Sequence, residues 1–134
     1  MTIAAIADTH AVVWSMLGDT RLSAKARAFI ARVAQSGGSV GISGVTLIEI
    51  VYLVEKGRIR RDTLERLVRL LSDPEDVFTE IPVDHTIAES MRSISRQQVP
   101  DLPDRVIAAT AVRYQVPVIS RDSKIQAAGL ETIW

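Results

Sequence analysis

The sequence predicts an α/β protein in which helices cover both faces of a mainly parallel β-sheet. Short apolar runs with the length of buried strands alternate along the chain with longer segments of helical pattern. Hydrophobic residues make up 47% of the 134 residues and aromatic residues only 4%, so Ala, Val, Ile and Leu must form the interior, which suits helices packed on a sheet. We find no repeat or linker, so a single domain is expected over residues 1–134.

Two strands and four helices are predicted in the first half of the chain. The strands are short apolar runs, and the helices begin at residues that favour N-caps and end at glycine or before proline. In order, these elements are a strand at 1–7, helices at 11–17 and 24–35, a strand at 40–42, and helices at 43–56 and 62–71. The expected N-caps of the last three helices are Ser23, Ser43 and Asp62.

Three strands and two helices are predicted in the second half. Alternating residues indicate a half-buried strand, Asp84 can open a helix, and Pro103 fits the first position of the next helix. In order, these elements are a strand at 77–81, helices at 84–97 and 103–114, and strands at 116–120 and 130–133. Strands that alternate with helices imply right-handed crossovers, and therefore a mainly parallel sheet.

Composition excludes several classes of protein and site. No apolar run approaches the roughly 18 residues that span a bilayer, and no basic stretch precedes an apolar core at the N-terminus, so we expect a cytoplasmic protein without membrane segments. The absence of cysteine excludes disulfides and thiolate chemistry, and two histidines, His10 and His85, make a structural zinc site improbable. Any bound metal should therefore be a hard ion held by oxygen.

Charged residues are unevenly distributed although the formal net charge is zero. Six basic residues lie within 56–69, and six acidic residues follow within 73–89 with no lysine or arginine among them. Such runs are most often solvated helix faces. The alternative is a basic rim that binds a polyanion.

Asp8 and Asp122 each follow a predicted strand at its carboxyl end. In open α/β sheets, ligands bind at this edge, where the strand order reverses. If the strands at 1–7 and 116–120 are neighbours, both carboxylates project into one crevice. Each residue also has a simpler interpretation, because Asp8 can cap the helix that begins near Thr9 and Asp122 can initiate a turn.

Glu49 interrupts a helix that is apolar nearly all round. A buried, unpaired carboxylate at this position would be costly. Glu49 therefore lies either on a narrow polar stripe that faces water, with Thr46 and Tyr52 or Lys56, or against the crevice that Asp8 lines.

Asp101 and Asp104 flank the start of the helix that leads into the fourth strand. Asp101 is a plausible N-cap, with Asp104 at the third helical position, a variant of the capping box. Helix-start chemistry explains this pair without catalysis. It does not explain why the same helix leads directly to the strand that ends before Asp122.

Taken together, Asp8, Glu49, Asp104 and Asp122 resemble the acidic quartet of PIN domains. The surrounding segments resemble the family's four motifs, in order and over essentially the whole chain. These segments are Asp8-Thr9-His10 with Val12-Val13-Trp14, Ser43-Gly44-Val45-Thr46 leading to Glu49, Asp101-Leu102-Pro103-Asp104-Arg105 with Ile107-Ala108-Ala109-Thr110-Ala111, and Ile119-Ser120-Arg121-Asp122. One departure is Leu102-Pro103, where many relatives have Pro and then Phe.

The resemblance implies a PIN-like three-layer α/β/α sandwich with a mainly parallel five-stranded sheet in the order 3-2-1-4-5. It also implies a metal-dependent endoribonuclease that hydrolyses RNA phosphodiester bonds as the toxin of a VapBC-type toxin–antitoxin system. The expected partners are RNA, a cognate VapB-like antitoxin and a second copy of the chain. The helix pair at 45–71 offers apolar surface for the antitoxin.

Carboxylates that share a pocket repel one another, and a divalent cation relieves this conflict. Oxygen ligands suit Mg²⁺, with Mn²⁺ as a substitute. The resemblance implies Asp8 and Asp104 as direct ligands and Asp122 as a ligand of a second ion or through water. Glu49 would hold a water molecule or act as general base.

Several neighbours of the acids are expected to support the site. Thr9 and Ser120 would orient carboxylates or a phosphate oxygen, and Arg105 and Arg121 would contact the RNA backbone, although surface arginines are more often solvated or paired. Trp14 and Trp134 are expected to be core or interface anchors, since nothing in the sequence places them as stacking platforms. His10 is expected to be a packing or hydrogen-bonded residue.

Other functions remain open at this point. The chain could be a PIN-fold interaction module without metal, or an RNA-processing protein outside a toxin–antitoxin pair. A receiver domain is disfavoured because Thr9-His10 and Ser120-Arg121 do not supply the second acid and the lysine that such a site needs. A flap-type DNA nuclease is disfavoured by the length of the chain.

Overall fold

Five strands, each followed by one or two helices except the last, lie within residues 2–134, the part of the chain that this computed structural model describes. The elements, in order, are β1 (Ile3–Ala7), α1 (Thr9–Leu17), α2 (Ala24–Gln35), β2 (Ser39–Ser43), α3 (Gly44–Glu55), α4 (Thr63–Leu71), β3 (Phe78–Ile81), α5 (His85–Met91), α6 (Leu102–Tyr114), β4 (Val118–Ile119), α7 (Ser123–Ala127) and β5 (Thr132–Ile133). No helix within these residues is both long enough and apolar enough to cross a membrane.

The five strands form one sheet in the order β3-β2-β1-β4-β5, and every neighbouring pair is parallel. The fold class and the strand order expected from the sequence are therefore confirmed. The chain proceeds from β1 to β2 and β3 on one side and returns to β4 and β5 on the other. The strand order thus reverses between β1 and β4, where Ala7 pairs with Ile119, and ligands bind at such a position in open α/β sheets.

Alternate side chains of β1 enter two different cores. Ala5 and Ala7 belong to a core that includes residues of α1, α2, α3 and α4, whereas Ile6 packs with residues of α6 and α7. Successive side chains of a strand point to opposite faces of the sheet. The two cores therefore lie on the two faces, and β1 is buried between layers of helices, as the apolar sequence Ile3–Ala7 predicts.

The helix expected over residues 84–97 is shorter than predicted, because α5 ends at Met91. The amide of Ile94 donates to the carbonyl of Met91, which is a tighter turn than an α-helix allows. The Arg105 guanidinium also donates to the carbonyls of Met91 and Ile94, each over 3.0 Å. A cationic side chain from α6 therefore satisfies carbonyl groups at the end of α5.

Other boundaries differ by a few residues. The helix α7 was not predicted, and β4 and β5 are shorter than the runs at 116–120 and 130–133. Pro103 occupies the second position of α6 rather than the first, because α6 begins at Leu102. Asp62 stands before α4 but makes no capping hydrogen bond, since its carboxylate pairs with Arg60. The predicted first strand began at Met1, which lies outside the described residues.

Candidate active site

Two of the predicted acids begin helices at the carboxyl edge of the sheet. Asp8 follows β1 and caps α1, with Oδ1 accepting a hydrogen bond of 2.8 Å from the amide of Ala11. Asp122 follows β4 and caps α7, with Oδ1 accepting a 2.8 Å bond from the amide of Lys124. Each cap bond is made by one carboxylate oxygen and fixes the direction of the side chain, so capping and participation in a site are compatible.

Asp104 lies at the third position of α6, and the N-cap Asp101 accepts a hydrogen bond of 3.3 Å from the Asp104 amide. The capping arrangement expected from the sequence is therefore confirmed. The Asp104 side chain is half-buried and lies near Asp122, on the wall of the same cavity.

Glu49 lies in the second turn of α3, half-buried, and faces the start of α1. Its Oε1 accepts a hydrogen bond of 2.5 Å from the hydroxyl of Thr9, which also lies 3.2 Å from the hydroxyl of Thr46. A threonine hydroxyl has one hydrogen, so Thr9 donates to Glu49 and accepts from Thr46. Because both threonines are buried, this chain of hydroxyls holds Glu49 in one orientation.

The carboxylates of the predicted quartet, together with Asp101, line one cavity of about 530 Å³. The acids in its wall are Asp8, Glu49, Asp101, Asp104 and Asp122, and the remaining residues are Thr9, His10, Trp14, Arg121, Ser123 and Trp134. The fold thus brings together acids that are far apart in the sequence. Glu49 does not lie on a stripe that faces only water, which was the alternative for this residue.

Burial and mutual repulsion raise the pKa values of two of these acids. The pKa of Asp104 is raised to about 7, first by burial and then by the charges of Asp101 and Asp122, a hydrogen bond with Asp122, and the charge of Glu49. Burial also raises the pKa of Asp8, although hydrogen bonds from the Ser120 hydroxyl and the Ala11 amide oppose this effect. The cavity therefore favours either bound protons or a bound cation.

The chemistry of these donors fits a hard divalent ion. Every acidic donor in the cavity is a carboxylate oxygen, and oxygen donors are the ligands that Mg²⁺ and Mn²⁺ prefer. Within residues 2–134, however, no three acidic or imidazole groups have converged into a metal-binding set. An ion in this cavity would therefore be held by one or two carboxylates and by water, which is the usual coordination of Mg²⁺ in proteins.

Of the residues that were predicted to support the acids, Ser120 and Thr9 contact them and Arg105 does not. Ser120 is buried, and its Oγ accepts a hydrogen bond of 2.9 Å from the Asp122 amide while its hydroxyl bonds Asp8. Ser120 and Thr9 thus each hold an acid of the cavity. Arg105 does not line the cavity, and its side chain donates to the end of α5 instead. These contacts give Arg105 a structural role and do not support the expected contact with a phosphate.

An aromatic and cationic wall faces the acids, and sequence reasoning did not anticipate it. Trp14 is 4% exposed, and two guanidinium groups lie over its ring, that of Arg21 at 4.9 Å and that of Arg121 at 4.7 Å. Arg121 lines the cavity, whereas Arg21 lies outside its lining and pairs with Asp19. The rings of His10 and Trp134 lie 5.4 and 5.9 Å from the ring of Trp14. The only signal of this wall in the sequence is the spacing of His10 and Trp14 by one helical turn. Arg121 and Trp134 come from distant segments of the chain.

Comparison with known proteins identifies one family. The model of a family described as the PIN domain matches residues 5–130 of this chain. No curated protein matches the chain.

Several solved structures have similar folds. VapBC2 from Rickettsia felis, bound to a DNA fragment from its promoter, is 16% identical with a TM-score of 0.70, and the match covers 98% of this chain and 100% of that one. A toxin–antitoxin complex from Klebsiella pneumoniae is 24% identical with a TM-score of 0.59 and coverage of 92% and 91%. FitAcB from Neisseria gonorrhoeae is 20% identical with a TM-score of 0.59 and coverage of 95% and 94%. At these identities the similarity establishes the fold.

Proposed function

Because this chain belongs to the PIN-domain family, we propose that it is a metal-dependent endoribonuclease and the toxin of a VapBC-type toxin–antitoxin pair. PIN domains are generally nucleases. The observation that carries the proposal is the single cavity lined by Asp8, Glu49, Asp104 and Asp122 at the carboxyl edge of the sheet. Such a set of oxygen donors suits a site where Mg²⁺ or Mn²⁺ and a phosphodiester bind together.

The assignment as a toxin is supported by the kind of protein that the chain resembles. The similar structure from K. pneumoniae is a toxin–antitoxin complex, and the one from R. felis is VapBC2 bound to a DNA fragment from its promoter. The chain also has apolar surface for a partner, because Ile48, Val51 and Tyr52 are 60%, 40% and 61% exposed on α3 and Val68 is 46% exposed on α4. We propose that a VapB-like antitoxin and a second copy of the chain are its partners.

Asp8 and Asp104 would hold the ion directly, and Asp122 would bind a second ion or act through water. When bound, a divalent ion supplies charge for the phosphate oxygens and lowers the pKa of a coordinated water. The chain's own groups prepare this site. The Ala11 amide and the Ser120 hydroxyl hold Asp8, and the Lys124 amide holds Asp122.

Glu49 is the group that would accept a proton from the attacking water or hold that water in place. Thr9 bonds Oε1 of Glu49, which leaves Oε2 as a second acceptor on a side chain that lines the cavity. A general base must lie within hydrogen-bonding reach of the proton that it removes. We propose that the Thr9–Thr46 pair keeps Glu49 in that position.

The purified protein is expected to cleave single-stranded RNA in Mg²⁺ or Mn²⁺ and to lose this activity in chelator. Without the ion, the carboxylates repel the phosphodiester and nothing offsets the charge of the transition state. Cleavage is measured by gel with end-labelled RNA, and excess Mg²⁺ added after the chelator should restore it. Cleavage that persists in chelator would contradict the proposal. Induced expression in bacteria should arrest growth if the enzyme is a toxin, whereas an RNA-processing enzyme should leave growth unchanged.

In the absence of metal, the free energy of unfolding is expected to fall as pH rises from about 4 to about 7. Below the ordinary aspartate pKa of 3.8, Asp104 is protonated in both states, but above it the unfolded chain ionises while the folded one keeps its proton. The loss is complete once pH passes the folded pKa of about 7. The raised pKa of Asp8 adds to the effect in the same direction.

Bound metal should restore the free energy of unfolding that is lost as pH rises. At pH 8, saturating Mn²⁺ should raise the free energy of unfolding by roughly 2 to 3 kcal/mol at 100-fold excess over Kd, and by much less at pH 5, where protons compete. Urea unfolding at the two pH values checks this. Asp104→Asn should reduce both the pH dependence and the effect of metal, and equal behaviour of the variant and the wild type would contradict the assignment.

A further inference from the structure

A second, smaller pocket adjoins the acidic cavity at the carboxyl ends of β4 and β5. Its volume is about 290 Å³, and its lining residues are Lys25, Ser120, Arg121, Gln126, Thr132 and Trp134. Two of these residues are cations and none is an acid. Arg121 and Trp134 also line the acidic cavity, so the two pockets share a wall and have opposite charge.

Arg121 lines this pocket and has no ionic partner among the described residues. Within residues 2–134 the salt bridges join Arg21 to Asp19 and Arg60 to Asp62, and Arg121 takes part in neither. Arg21 and Arg121 both place a guanidinium group over the ring of Trp14. They differ in their ionic partners, because Arg21 binds the Asp19 carboxylate through two nitrogens. The ring thus orients Arg121 while its donors stay available for an anion.

The other polar groups of the pocket complement Arg121. Lys25 lies exposed in the first turn of α2, and Gln126 and Thr132 add neutral donors. An ammonium, a guanidinium and neutral donors around a small open pocket suit the oxygens of a phosphate group. The indole of Trp134 adds an apolar surface beside them.

The charge of the acidic cavity gives such a pocket a function. Five carboxylates line that cavity, so a polyanion that approaches it is repelled unless cations lie along its path. A bound metal ion would neutralise only the position of the reacting phosphate. Lys25 and Arg121 line the adjoining pocket, where positive charge would favour the next part of such a polyanion.

We propose that the pocket of Lys25, Arg121, Gln126 and Thr132 binds a phosphate of single-stranded RNA adjacent to the one that is cut, and so positions the strand across the acidic cavity. This inference rests on the proposed ribonuclease function. Lys25 and Arg121 are positioning residues in this account and do not touch the reacting atoms.

The test is equilibrium binding of a fluorescein-labelled single-stranded RNA to full-length protein carrying Asp104→Asn, which disables cleavage. Adding Arg121→Gln or Lys25→Gln should raise Kd about fivefold to tenfold at low salt. The slope of log Kd against log salt concentration should fall by about 0.7 for each phosphate of the single strand that the variant no longer neutralises. Arg121→Lys should restore part of the affinity.

Two control variants remove the same charge elsewhere. Arg21→Gln removes the other guanidinium that stacks on Trp14, and Arg32→Gln removes an exposed cation from the other end of the helix that carries Lys25. Both should bind RNA within twofold of the parent. The proposal is wrong if Arg121→Gln and Lys25→Gln bind RNA like these controls, in affinity and in salt dependence.

Two further outcomes separate this proposal from its alternatives. If wild-type protein cuts no RNA but binding still depends on Arg121 and Lys25, the phosphate pocket stands and the proposed catalysis falls. If a glutamate-rich peptide competes as well as RNA of equal charge, and loses this ability in the same variants, the pocket is a carboxylate site for a protein partner and its assignment to RNA is overturned.

Discussion

Asp8→Asn and Asp104→Asn are each expected to reduce RNA cleavage on the order of 10³-fold, because several kcal/mol of transition-state stabilisation depends on a metal ion that these carboxylates hold. Asparagine keeps the shape of the side chain and can still cap a helix, so the α1 cap at Asp8 should persist. The loss should appear in kcat as well as in kcat/KM. It is measured with end-labelled RNA in Mg²⁺ and in Mn²⁺.

The variants should remain folded, which separates a defect in the site from a defect in the fold. Without metal, Asp104→Asn should be as stable as the wild type or more stable at pH 8, since the variant lacks the carboxylate whose pKa burial and neighbouring acids raise to about 7. Asp62→Asn is a matched control, because Asp62 also precedes a helix but pairs with Arg60 away from the cavity. Activity within tenfold of the wild type in both site variants would refute the metal-ligand assignment.

Ile107→Ala is expected to lower the free energy of unfolding by about 2 to 5 kcal/mol, the usual cost of removing a large buried aliphatic side chain. Ile107 is fully buried in α6 and packs with Ile6 of β1 and Val118 of β4. Because Ile107 lies one turn after Asp104 on the same helix, its packing also sets where α6 meets the sheet. Urea unfolding at fixed pH provides the measurement.

Val112→Ala is the control for this prediction, because Val112 lies on the same helix and is 39% exposed. Its cost should stay within about 0.5 kcal/mol, as is usual for surface substitutions. Equal destabilisation by the two variants would mean that α6 is not anchored to the sheet through Ile107. If folded Ile107→Ala protein cuts RNA more slowly than wild type, the anchor also positions Asp104.

Local chemistry accounts for the parts of the fold that the sequence predicted well. Ser23 and Ser43 cap helices at the expected positions, since a hydroxyl that binds a free amide acts within a few residues. The strand Ile3–Ala7 was recognisable because every side chain in it is apolar, as both faces of a central parallel strand are covered. The acids after β1 and β4 were recognisable because they follow strand ends.

Contacts between distant segments account for what was missed. For Arg105 the sequence left open a contact with a phosphate or a solvated or paired side chain, and Arg105 in fact bonds the end of α5, a destination that no local pattern encodes. The α7 helix is only five residues long, too short for its periodicity to stand out from a turn. The stacking of Arg21 and Arg121 on Trp14 joins segments that are separate until the sheet forms.

The sequence by itself determined most of the strands and helices and the α/β class of the fold, because side-chain alternation and helix caps depend on neighbours a few positions away. Its resemblance to PIN domains pointed to the four candidate acids. Only the tertiary structure decided that Asp8, Glu49, Asp104 and Asp122 line one cavity, and that a cationic pocket adjoins it. The order of the parallel strands decided both of these arrangements. Because β1 pairs with β4, segments that are far apart along the chain lie side by side.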